Sequence, residues 1–345
     1  MLVPVFLPNL GCYSRCIYCD QSYIVDLKNE NLKDYIDRAL RKEGPFEVGL
    51  YGGNILGMDK VQLQSILRLF DPYLEKISRI RLSTKPVRPE GEVLDVIHLL
   101  QTYKVEIFEL GIPIFDDGIL NFLQRNHTVK DLEDMYKYLR ESGFKVALQV
   151  MVGLPHETRI HVVETVKRIL ELKPEYIRIY PLVIIKGTPM ERMLFDGKIN
   201  LVDFEEVKKR TAYIYASAAI NGIMTLKIGL TDNEALRKNT VGGFYHPSFG
   251  YLVKCYIFWE ALKGAMLKYR INGKTDLIIN EENIAYFYGY KGENRRALET
   301  LGISLKKTDP SLDSWEFVLI REDGSEVKGK ILEVFLESLS FFPQT

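Results

Sequence analysis

Three of the four cysteines in the chain lie between positions 12 and 19, as Cys12, Cys16 and Cys19. They follow a short apolar run, residues 2–7, which predicts a loop directly after a β-strand. Clustered thiols that leave one without a partner do not form a secreted disulfide framework. In a reducing compartment, this pattern predicts a metal-binding loop.

Two kinds of metal site have to be weighed for this loop. Zinc sites usually complete four protein ligands, and no second cysteine or histidine pair follows at finger-like spacing. A 4Fe-4S cluster can be held by three thiolates, which leaves its fourth iron open to an outside ligand. The pattern favours the cluster, with zinc or a purely electron-transferring cluster as the alternatives.

The Cys-x3-Cys-x2-Cys spacing, with Tyr18 just before the last cysteine, resembles the signature of the radical S-adenosylmethionine (SAM) enzymes. This resemblance implies a 4Fe-4S cluster and SAM as cofactors, with the open iron chelating the amino and carboxylate groups of SAM. It further implies that an electron from the cluster cleaves SAM to methionine and a 5′-deoxyadenosyl radical, which abstracts a hydrogen atom. A flavodoxin- or ferredoxin-like electron donor is the implied partner.

Six β-rich runs alternate with amphipathic helical patterns in the first part of the chain, at residues 2–7, 46–51, 80–84, 105–110, 145–152 and 176–184. A spacing of roughly 30 to 40 residues favours parallel strands joined by helical crossovers. The cysteines follow strand one, where barrel sites collect. We therefore predict an α/β fold with a partial (β/α)6 TIM-type barrel over residues 1–235. Residues 224–230 could add a strand or an extended segment.

The same resemblance implies SAM contacts at later strand ends. Gly52 and Gly53 match the family's glycine motif, and Asn54 stands where many members have glutamate. Arg125, in the segment RNHT, matches an arginine that grips the methionine carboxylate through two parallel hydrogen bonds. A solvated arginine at a helix end is the alternative interpretation.

Further SAM contacts are implied on strands three to five. Gln149 matches a polar residue that contacts the ribose, although a hydrogen bond within the barrel core is the alternative. Gly153 matches a turn beside adenine. The remaining candidates, which could face the cavity, are Ser83, Thr84 and Glu109.

Residues 178–199, RIYPLVIIKGTPMERMLFDGKI, are very similar to a segment of the catalytic subunit of Elongator, the tRNA-modifying complex, and of related bacterial proteins. ELG at 109–111 and RNHT at 125–128 support the same branch. The Elongator subunit spaces its first two cysteines farther apart and carries an acetyltransferase domain that cannot fit in residues 273–345. What remains resembles bacterial proteins labelled as related to oxygen-independent coproporphyrinogen oxidase.

A loop and connector helix are predicted over residues 236–272, and a small α+β domain over 273–345. In the latter, a strand–helix–helix–strand–strand–helix order resembles a KH domain, whose Gly-x-x-Gly loop clamps a nucleic-acid backbone. We predict residues 323–329 to be a turn. A degenerate module that packs against the barrel or a partner is the alternative. The implied RNA contacts are Gly289, Lys291, Gly292, Arg295 and Arg296.

The composition narrows the remaining function classes. Lysine plus arginine and aspartate plus glutamate each number 46, so overall charge does not attract nucleic acid or membrane. No apolar run approaches the roughly 20 residues of a membrane helix, and we expect a cytoplasmic protein. Cys255 is predicted to be a buried, inert thiol. Substrate-side candidates are His246, Lys186 and Lys227.

The sequence leaves three functional hypotheses. The first is a radical SAM enzyme that acts on RNA, such as tRNA, through the KH-like domain. The second is a radical SAM enzyme that acts on a small, porphyrin-like metabolite. The third is a non-catalytic iron–sulfur sensor or scaffold, which Asn54 and Pro113 favour because they depart from the SAM-binding pattern.

Overall fold

The computed structural model describes residues 1–24 and 31–339. The strands of these residues are β1 Leu2–Phe6, β2 Phe46–Tyr51, β3 Ile77–Thr84, β4 Val105–Gly111, β5 Lys145–Val152, β6 Tyr176–Pro181, β7 Val183–Ile185, β8 Met224–Ile228, β9 Thr240–Gly243, β10 Thr275–Ile279, β11 Ile303–Thr308, β12 Glu316–Arg321 and β13 Glu326–Lys330. Their α-helices are α1 Gln21–Ile24, α2 Leu32–Ala39, α3 Lys60–Arg68, α4 Glu92–Gln101, α5 Asp117–Phe122, α6 Val129–Glu141, α7 Arg159–Leu172, α8 Pro189–Phe195, α9 Phe204–Ile220, α10 Glu234–Asn239, α11 Phe249–Lys268, α12 Ile284–Tyr288, α13 Glu293–Thr300 and α14 Ile331–Ser338.

A curved sheet of seven parallel strands dominates the described residues, in the order β1, β2, β3, β4, β5, β6, β8. It confirms the α/β fold and the partial TIM-type barrel, with residues 224–228 as a seventh strand. Because all strands run in one direction, the loops after their C-terminal ends meet at one end of the sheet. We call this end the barrel mouth.

Helix α6 illustrates why the crossovers are helical. Thr128 caps its N-terminus in a capping box with Asp131, which satisfies backbone donors of the first turn. The buried side chains follow the helical period of three and four residues, so one stripe packs on the sheet. They are Leu132, Met135, Tyr136 and Leu139. Each aliphatic side chain so buried contributes about 1.5–3 kcal/mol.

The predicted strand over residues 176–184 is wrong in its extent. Pro181 ends β6, and the chain then forms β7, which pairs antiparallel with β9 in a separate two-stranded sheet. Proline lacks the backbone N–H that a continuing central strand would donate. The apolar residues after Pro181 are therefore buried in a different sheet.

A four-stranded sheet in the order β11, β10, β12, β13 confirms the small C-terminal α+β unit. β10 is parallel to β11 and antiparallel to β12. The turn predicted over 323–329 is wrong, because residues 326–330 form the edge strand β13. Its charged, alternating composition is typical of a protected sheet edge.

The KH resemblance and the divisions at residues 235 and 272 stay predictions, and residues 340–345 of the last predicted segment lie outside the described part. Within the described residues, no helix is long and apolar enough to cross a membrane.

Candidate active site at the barrel mouth

The loop that carries the three cysteines is bound to the end of β2 by backbone hydrogen bonds. Asn9 N donates to Gly52 O at 2.8 Å, and Asn54 N donates to Leu10 O at 2.8 Å. A Cβ on Gly53 would lie 2.7 Å from Leu10 O, closer than two such atoms can approach. Glycine therefore lets the two backbones meet, whereas the contact of this motif with SAM stays a prediction.

Asn54 joins the cysteine loop to the end of β3. Its Nδ2 donates to Gly11 O at 3.1 Å, while its Oδ1 accepts from the Thr84 hydroxyl at 2.7 Å and from Lys85 N at 2.9 Å. Asn54 and Thr84 are both buried. Their polar groups are thus occupied within the protein, and both residues act as supports of the loop in this structure.

Arg125 lies against the cysteine loop, while its contact with SAM stays a prediction. Its Nη1 donates to the Cys16 thiol and to the Tyr18 hydroxyl, each at 3.3 Å, and its Nη2 donates to Gly111 O. The side chain is buried, and its Nε has no partner among the described residues. A buried guanidinium with an unused donor is suited to a further anionic partner.

The thiols differ in their electrostatic surroundings. Burial alone raises the pKa of the Cys16 thiol, but Arg125 and Lys85 outweigh burial and hold that pKa below its usual value. Burial and the neighbouring Cys16 raise the pKa of Cys19 to about 11, and burial also raises the pKa of Cys12. Positive charge is therefore concentrated beside Cys16, where it favours a thiolate.

A 4Fe-4S cluster fits this loop better than a single zinc ion. In the described residues, no three thiol, imidazole or carboxylate groups converge as a mononuclear site needs. A cluster binds each thiolate to a different iron, so its three cysteines stand apart. The positive charge beside Cys16 and the unused Nε of Arg125 also suit a group that brings negative charge.

A row of residues crosses the barrel at the level of Arg125. Gly111 on β4, Gln149 on β5, Arg178 on β6 and Lys227 on β8 are successive register partners. A Cβ on Gly111 would lie 3.2 Å from Arg125 Nη2 and 3.7 Å from Gln149 Oε1. The structure thus brings Arg125 and Gln149 together, and we call these four strand residues the mouth row.

A buried charged network fills the lumen beside the mouth row. Glu109 Oε1 accepts from the Tyr51 hydroxyl and Arg81 Nη1, both at 3.3 Å, and from Arg178 Nη2 at 3.0 Å. Arg178 also donates to the Tyr51 and Tyr180 hydroxyls, at 3.0 and 2.9 Å. Burial and the Glu109 charge raise the pKa of Tyr51. Glu109 points inward but is fully engaged by protein groups, an arrangement that sequence reasoning missed.

The two remaining candidates for SAM contact lie in different surroundings. Ser83 is the register partner of Glu109, so its side chain faces the lumen. Gly153 has a φ of +82°, and a Cβ there would lie 2.5 Å from the Phe244 ring. Glycine at this position therefore allows the turn after β5 to contact the segment that follows β9.

Glu157 braces the same turn and was also missed. Its Oε2 accepts from Leu154 N, and its Oε1 accepts from Arg210 Nη1, both at 3.1 Å. Burial raises the pKa of Glu157 to about 7. Arg210 also donates to Glu206, whose pKa hydrogen bonds from Arg159 and Arg210 lower to about 2. The position of Glu157 in the GLPHET segment was the sequence signal that could have identified this residue.

His127 was also not predicted from the sequence, although it lies in the RNHT segment that identified Arg125. Its Nδ1 lies 3.2 Å from the Arg125 carbonyl, which can only accept, so Nδ1 carries the proton. Its Nε2 is buried without a partner in the described residues. Burial and the Arg125 charge lower the pKa of His127 to about 3. The ring is therefore neutral at physiological pH.

The predicted RNA-contacting residues lie on the loop between α12 and α13 and in the first turn of α13. Gly289, Lys291 and Gly292 all have positive φ, which fits a tight loop rich in glycine. Arg295 pairs with Glu299 at 2.8 Å, and Arg296 donates to Lys291 O at 3.0 Å. The positive charge of this loop is thus partly offset within the protein.

The other side of this loop packs against α11 and the segment before it. The Tyr290 ring makes an edge contact with His246, with centroids 5.7 Å apart, and Asn294 donates to Cys255 O at 2.7 Å. Cys255 is buried, and burial raises the pKa of its thiol. These contacts place Cys255 in the packing under α12 and α13.

Comparison with known proteins identifies the family of the cysteine loop and the parallel sheet. Residues 7–169 match the radical SAM superfamily, and residues 174–257 match the radical SAM C-terminal domain. The structure of the archaeal Methanocaldococcus infernus Elp3 superposes with a TM-score of 0.57 at 18% identity, over 74% of this chain and 62% of that one. At this identity the superposition supports the fold alone.

Three curated relatives differ in how much they share. An uncharacterized protein of Methanocaldococcus jannaschii, MJ0486, is 29% identical over 58% of this chain and 61% of its own length. The heme chaperone HemW of Bacillus subtilis is 25% identical over 94% and 96%. The tRNA uridine(34) acetyltransferase of M. jannaschii is 27% identical over 46% of this chain and 29% of its own length. The chain thus spans less than two thirds of two of these relatives.

The matched regions contain the cysteine loop, strands β2 to β6 and β8 of the parallel sheet, and the mouth row. Members of the matched superfamily are enzymes that use a 4Fe-4S cluster and SAM. The cysteine spacing, the half-barrel and the two family matches together show that this chain belongs to the radical SAM superfamily.

Proposed function

We propose that the protein cleaves SAM reductively at the barrel mouth and directs the resulting radical to an RNA substrate. The observation that carries the first part is the position of Arg125, whose guanidinium contacts the Cys16 thiol on one side and Gly111, the first residue of the mouth row, on the other. When bound by the three cysteines, a 4Fe-4S cluster would supply the electron that splits SAM into methionine and the 5′-deoxyadenosyl radical.

The residues of the chain would hold SAM around that cluster. The unused Nε and the charge of Arg125 suit the methionine carboxylate. Gln149 makes no side-chain hydrogen bond to the described residues, so its carboxamide is available for the ribose hydroxyls. Asn54 joins the cysteine loop to the end of β3 and would thereby hold the thiols in a fixed position relative to Arg125. This fixed geometry is what positions the reacting bond.

The RNA part of the proposal rests on the loop between α12 and α13 and on the helix residues beside it. Tyr288 is 43% exposed, and the Arg295 guanidinium lies over its ring at 5.8 Å. An exposed aromatic beside cations is suited to base stacking and phosphate contact. The relative named tRNA uridine(34) acetyltransferase supports the same substrate class. The ion pair of Arg295 with Glu299 means that RNA has to displace or share that contact.

RNA retention tests this part directly. We expect the anaerobically reconstituted protein to retain tRNA on a filter, and the Lys291→Asp, Arg295→Glu variant to bind about tenfold less, because two phosphate-attracting charges are reversed. Lys130→Asp, Lys137→Glu is the matched control, since both lysines lie on the exposed face of α6. Equal and negligible retention by all three proteins would remove the RNA hypothesis.

A small, porphyrin-like substrate is the second candidate. It is favoured by the heme chaperone HemW, which matches this chain over 94% of its length, including the C-terminal segment. Titration of coproporphyrin, followed by its absorption band, separates the two candidates. Stoichiometric tetrapyrrole binding that tRNA does not displace would favour the second candidate over the first.

An iron–sulfur sensor is the non-catalytic alternative. An assay of SAM cleavage by the anaerobically reconstituted protein tests this alternative. Dithionite replaces the flavodoxin- or ferredoxin-like electron donor that we propose. Formation of 5′-deoxyadenosine, with a rate that tRNA increases, supports the RNA-directed enzyme. A protein that holds iron and sulfide but forms no 5′-deoxyadenosine would be a sensor.

A further inference from the structure

We propose that Lys227 anchors an anionic group of the substrate, a carboxylate or a phosphate, at the open edge of the barrel. This inference rests on the proposed function, because it assigns the substrate side of the same site. Lys227 is the last residue of the mouth row and lies on β8, the final strand in the order of the parallel sheet. Its ammonium makes no hydrogen bond or ion pair with the described residues.

The side chain of Lys227 faces the lumen. Its neighbour Ile228 faces outward, because a Cβ on Gly250 of α11 would lie 3.2 Å from Ile228 Cβ. Successive strand residues point to opposite faces, so Lys227 points inward. Its register partner Arg178 also points inward, since the guanidinium reaches Tyr51 on β2 across the barrel.

The charged groups around Lys227 leave its charge uncompensated. Glu109 Oε2 lies 2.8 Å from Arg178 Nε, and its other oxygen also contacts Arg81. Glu47, deeper in the lumen, lies 3.0 Å from Arg79 and also contacts Arg81. These two carboxylates are therefore shared among three arginines. A lysine added to such a lumen attracts anions, since low-dielectric walls strengthen the field of an unpaired charge.

The distance from Lys227 to the SAM side of the barrel fits a substrate anchor. Neighbouring strands lie about 4.8 Å apart, so two strand spacings place Lys227 about 10 Å from Gln149. A substrate whose anion binds the ammonium can thus reach the ribose side of the row. Both proposed substrate classes qualify, because RNA carries phosphates and porphyrin-like metabolites carry carboxylates. A lysine binds either as a point charge.

Pyridoxal 5′-phosphate is a suitable probe because it combines an anion with an aldehyde. Its aldehyde carbon forms a C=N bond with a lysine amine and releases water, and borohydride then delivers hydride to that carbon and fixes the adduct. Peptide mapping measures the labelling rate of each lysine. Lys173 is the matched control, because it is exposed directly after α7, at the opposite end of the barrel.

The protection experiment has one arm for each anion. Uridine 5′-monophosphate supplies a phosphate, coproporphyrin supplies carboxylates, and uridine is the neutral control. We expect one or both anions, at about ten times their dissociation constant, to slow labelling of Lys227 about tenfold, because an occupied ammonium cannot react, without slowing that of Lys173. The anion that protects Lys227 from labelling shows whether the substrate group is a phosphate or a carboxylate. Failure of both anions to slow labelling of Lys227 would overturn the proposal.

Variants keep this result separate from folding. The protecting anion should raise the melting temperature of the wild-type protein, since it binds only the folded state, and should do so for Lys227→Arg but not for Lys227→Gln. Equal stabilisation of Lys227→Gln would contradict the anchor. The wild-type preparation is assayed in parallel for 5′-deoxyadenosine. Protection without SAM cleavage overturns only the proposed function, and cleavage without protection overturns only the Lys227 site.

Discussion

Two groups of the same three residue types occur in very different surroundings. The barrel triad consists of Arg178, Tyr51 and Glu109, and the surface triad consists of Arg295, Tyr288 and Glu299. In each triad an arginine lies over a tyrosine ring, at 5.1 Å in the barrel and 5.8 Å on the surface, and also pairs with the glutamate. The glutamate side chain is 2% exposed in the barrel triad and 44% exposed in the surface triad.

The difference shows that residue types alone do not fix what a charged group contributes. In the barrel, each charge has lost water and depends on its partners, so the triad is rigid and costly to break. On the surface, water screens the same pair, so the arginine can exchange its partner for a ligand at little cost. The first arrangement suits a scaffold beside a reaction, and the second suits a docking surface.

The largest expected effect comes from breaking the barrel triad. Arg178→Met should lower the free energy of unfolding by about 3–5 kcal/mol, because Glu109 loses a buried partner. Urea denaturation measures this change. Arg178→Met combined with Glu109→Gln is the control, and it should recover part of the loss because the stranded charge is gone. A loss below 1 kcal/mol for the single variant would show that the triad is not desolvated.

A second effect depends on pH and also comes from burial at the barrel mouth. The pKa of His127 is about 3 in the folded protein, against about 6.5 in an unfolded chain. Between these two pKa values the unfolded state binds a proton that the folded state does not bind. The free energy of unfolding therefore falls by a few kcal/mol as pH drops from about 6.5 to 3. Arg125 and Lys85 lower this pKa, and Asp131 raises it.

Comparison with His127→Gln isolates this contribution from the carboxylates that titrate in the same range. Urea denaturation at several pH values between 4 and 7 should show a smaller decrease of stability for the variant than for the wild-type protein. Parallel curves would contradict the neutral, buried histidine.

Removal of the link between the cysteine loop and β3 should have a smaller effect. Asn54→Ala leaves Gly11 O and Lys85 N without their side-chain partner and removes one of the bonds of the Thr84 hydroxyl, so we expect a loss of about 2 kcal/mol and lower iron content after reconstitution. Asn221→Ala, which removes one bond to Ser217 O at the end of α9, is the control and should change neither quantity appreciably. Full iron incorporation by Asn54→Ala would argue against a supporting role.

A substitution in the surface triad should change stability least. Arg295→Met should change the free energy of unfolding by less than about 1 kcal/mol, because exposed ion pairs contribute little. The same urea denaturation experiment measures it beside Arg178→Met. A cost equal to that of the barrel variant would mean that the two triads are energetically alike and that the comparison fails.

Much of the barrel followed from local patterns. The cysteine loop, the strands and the helical crossovers depend on neighbours within a few residues, and these signals predicted the parallel sheet. Arg125 was identified through its RNHT context, and the structure places it beside Cys16. Gln149 was singled out because an amide in an apolar strand needs a polar partner, and it lies in the mouth row.

The rest depends on long-range contacts that no local pattern encodes. Arg178 meets Tyr51 across 127 positions of the chain, so the sequence could not show that Glu109 is engaged by protein groups. The use of Asn54 as a link to β3 is equally nonlocal. Pro181 marked a strand end, but the second sheet that β7 joins depends on β9, far along the chain.

The central claim is that the three-cysteine loop supports SAM cleavage. The direct measurement is 5′-deoxyadenosine formed from SAM and dithionite by anaerobically reconstituted protein, compared among the wild type, Cys16→Ala and Cys255→Ala. We predict product from the wild type and from Cys255→Ala, whose thiol lies in the packing under α12 and α13, and a loss of at least about 100-fold for Cys16→Ala. Equal product from Cys16→Ala and the wild type, or none from a wild-type protein with full iron content, would contradict the account.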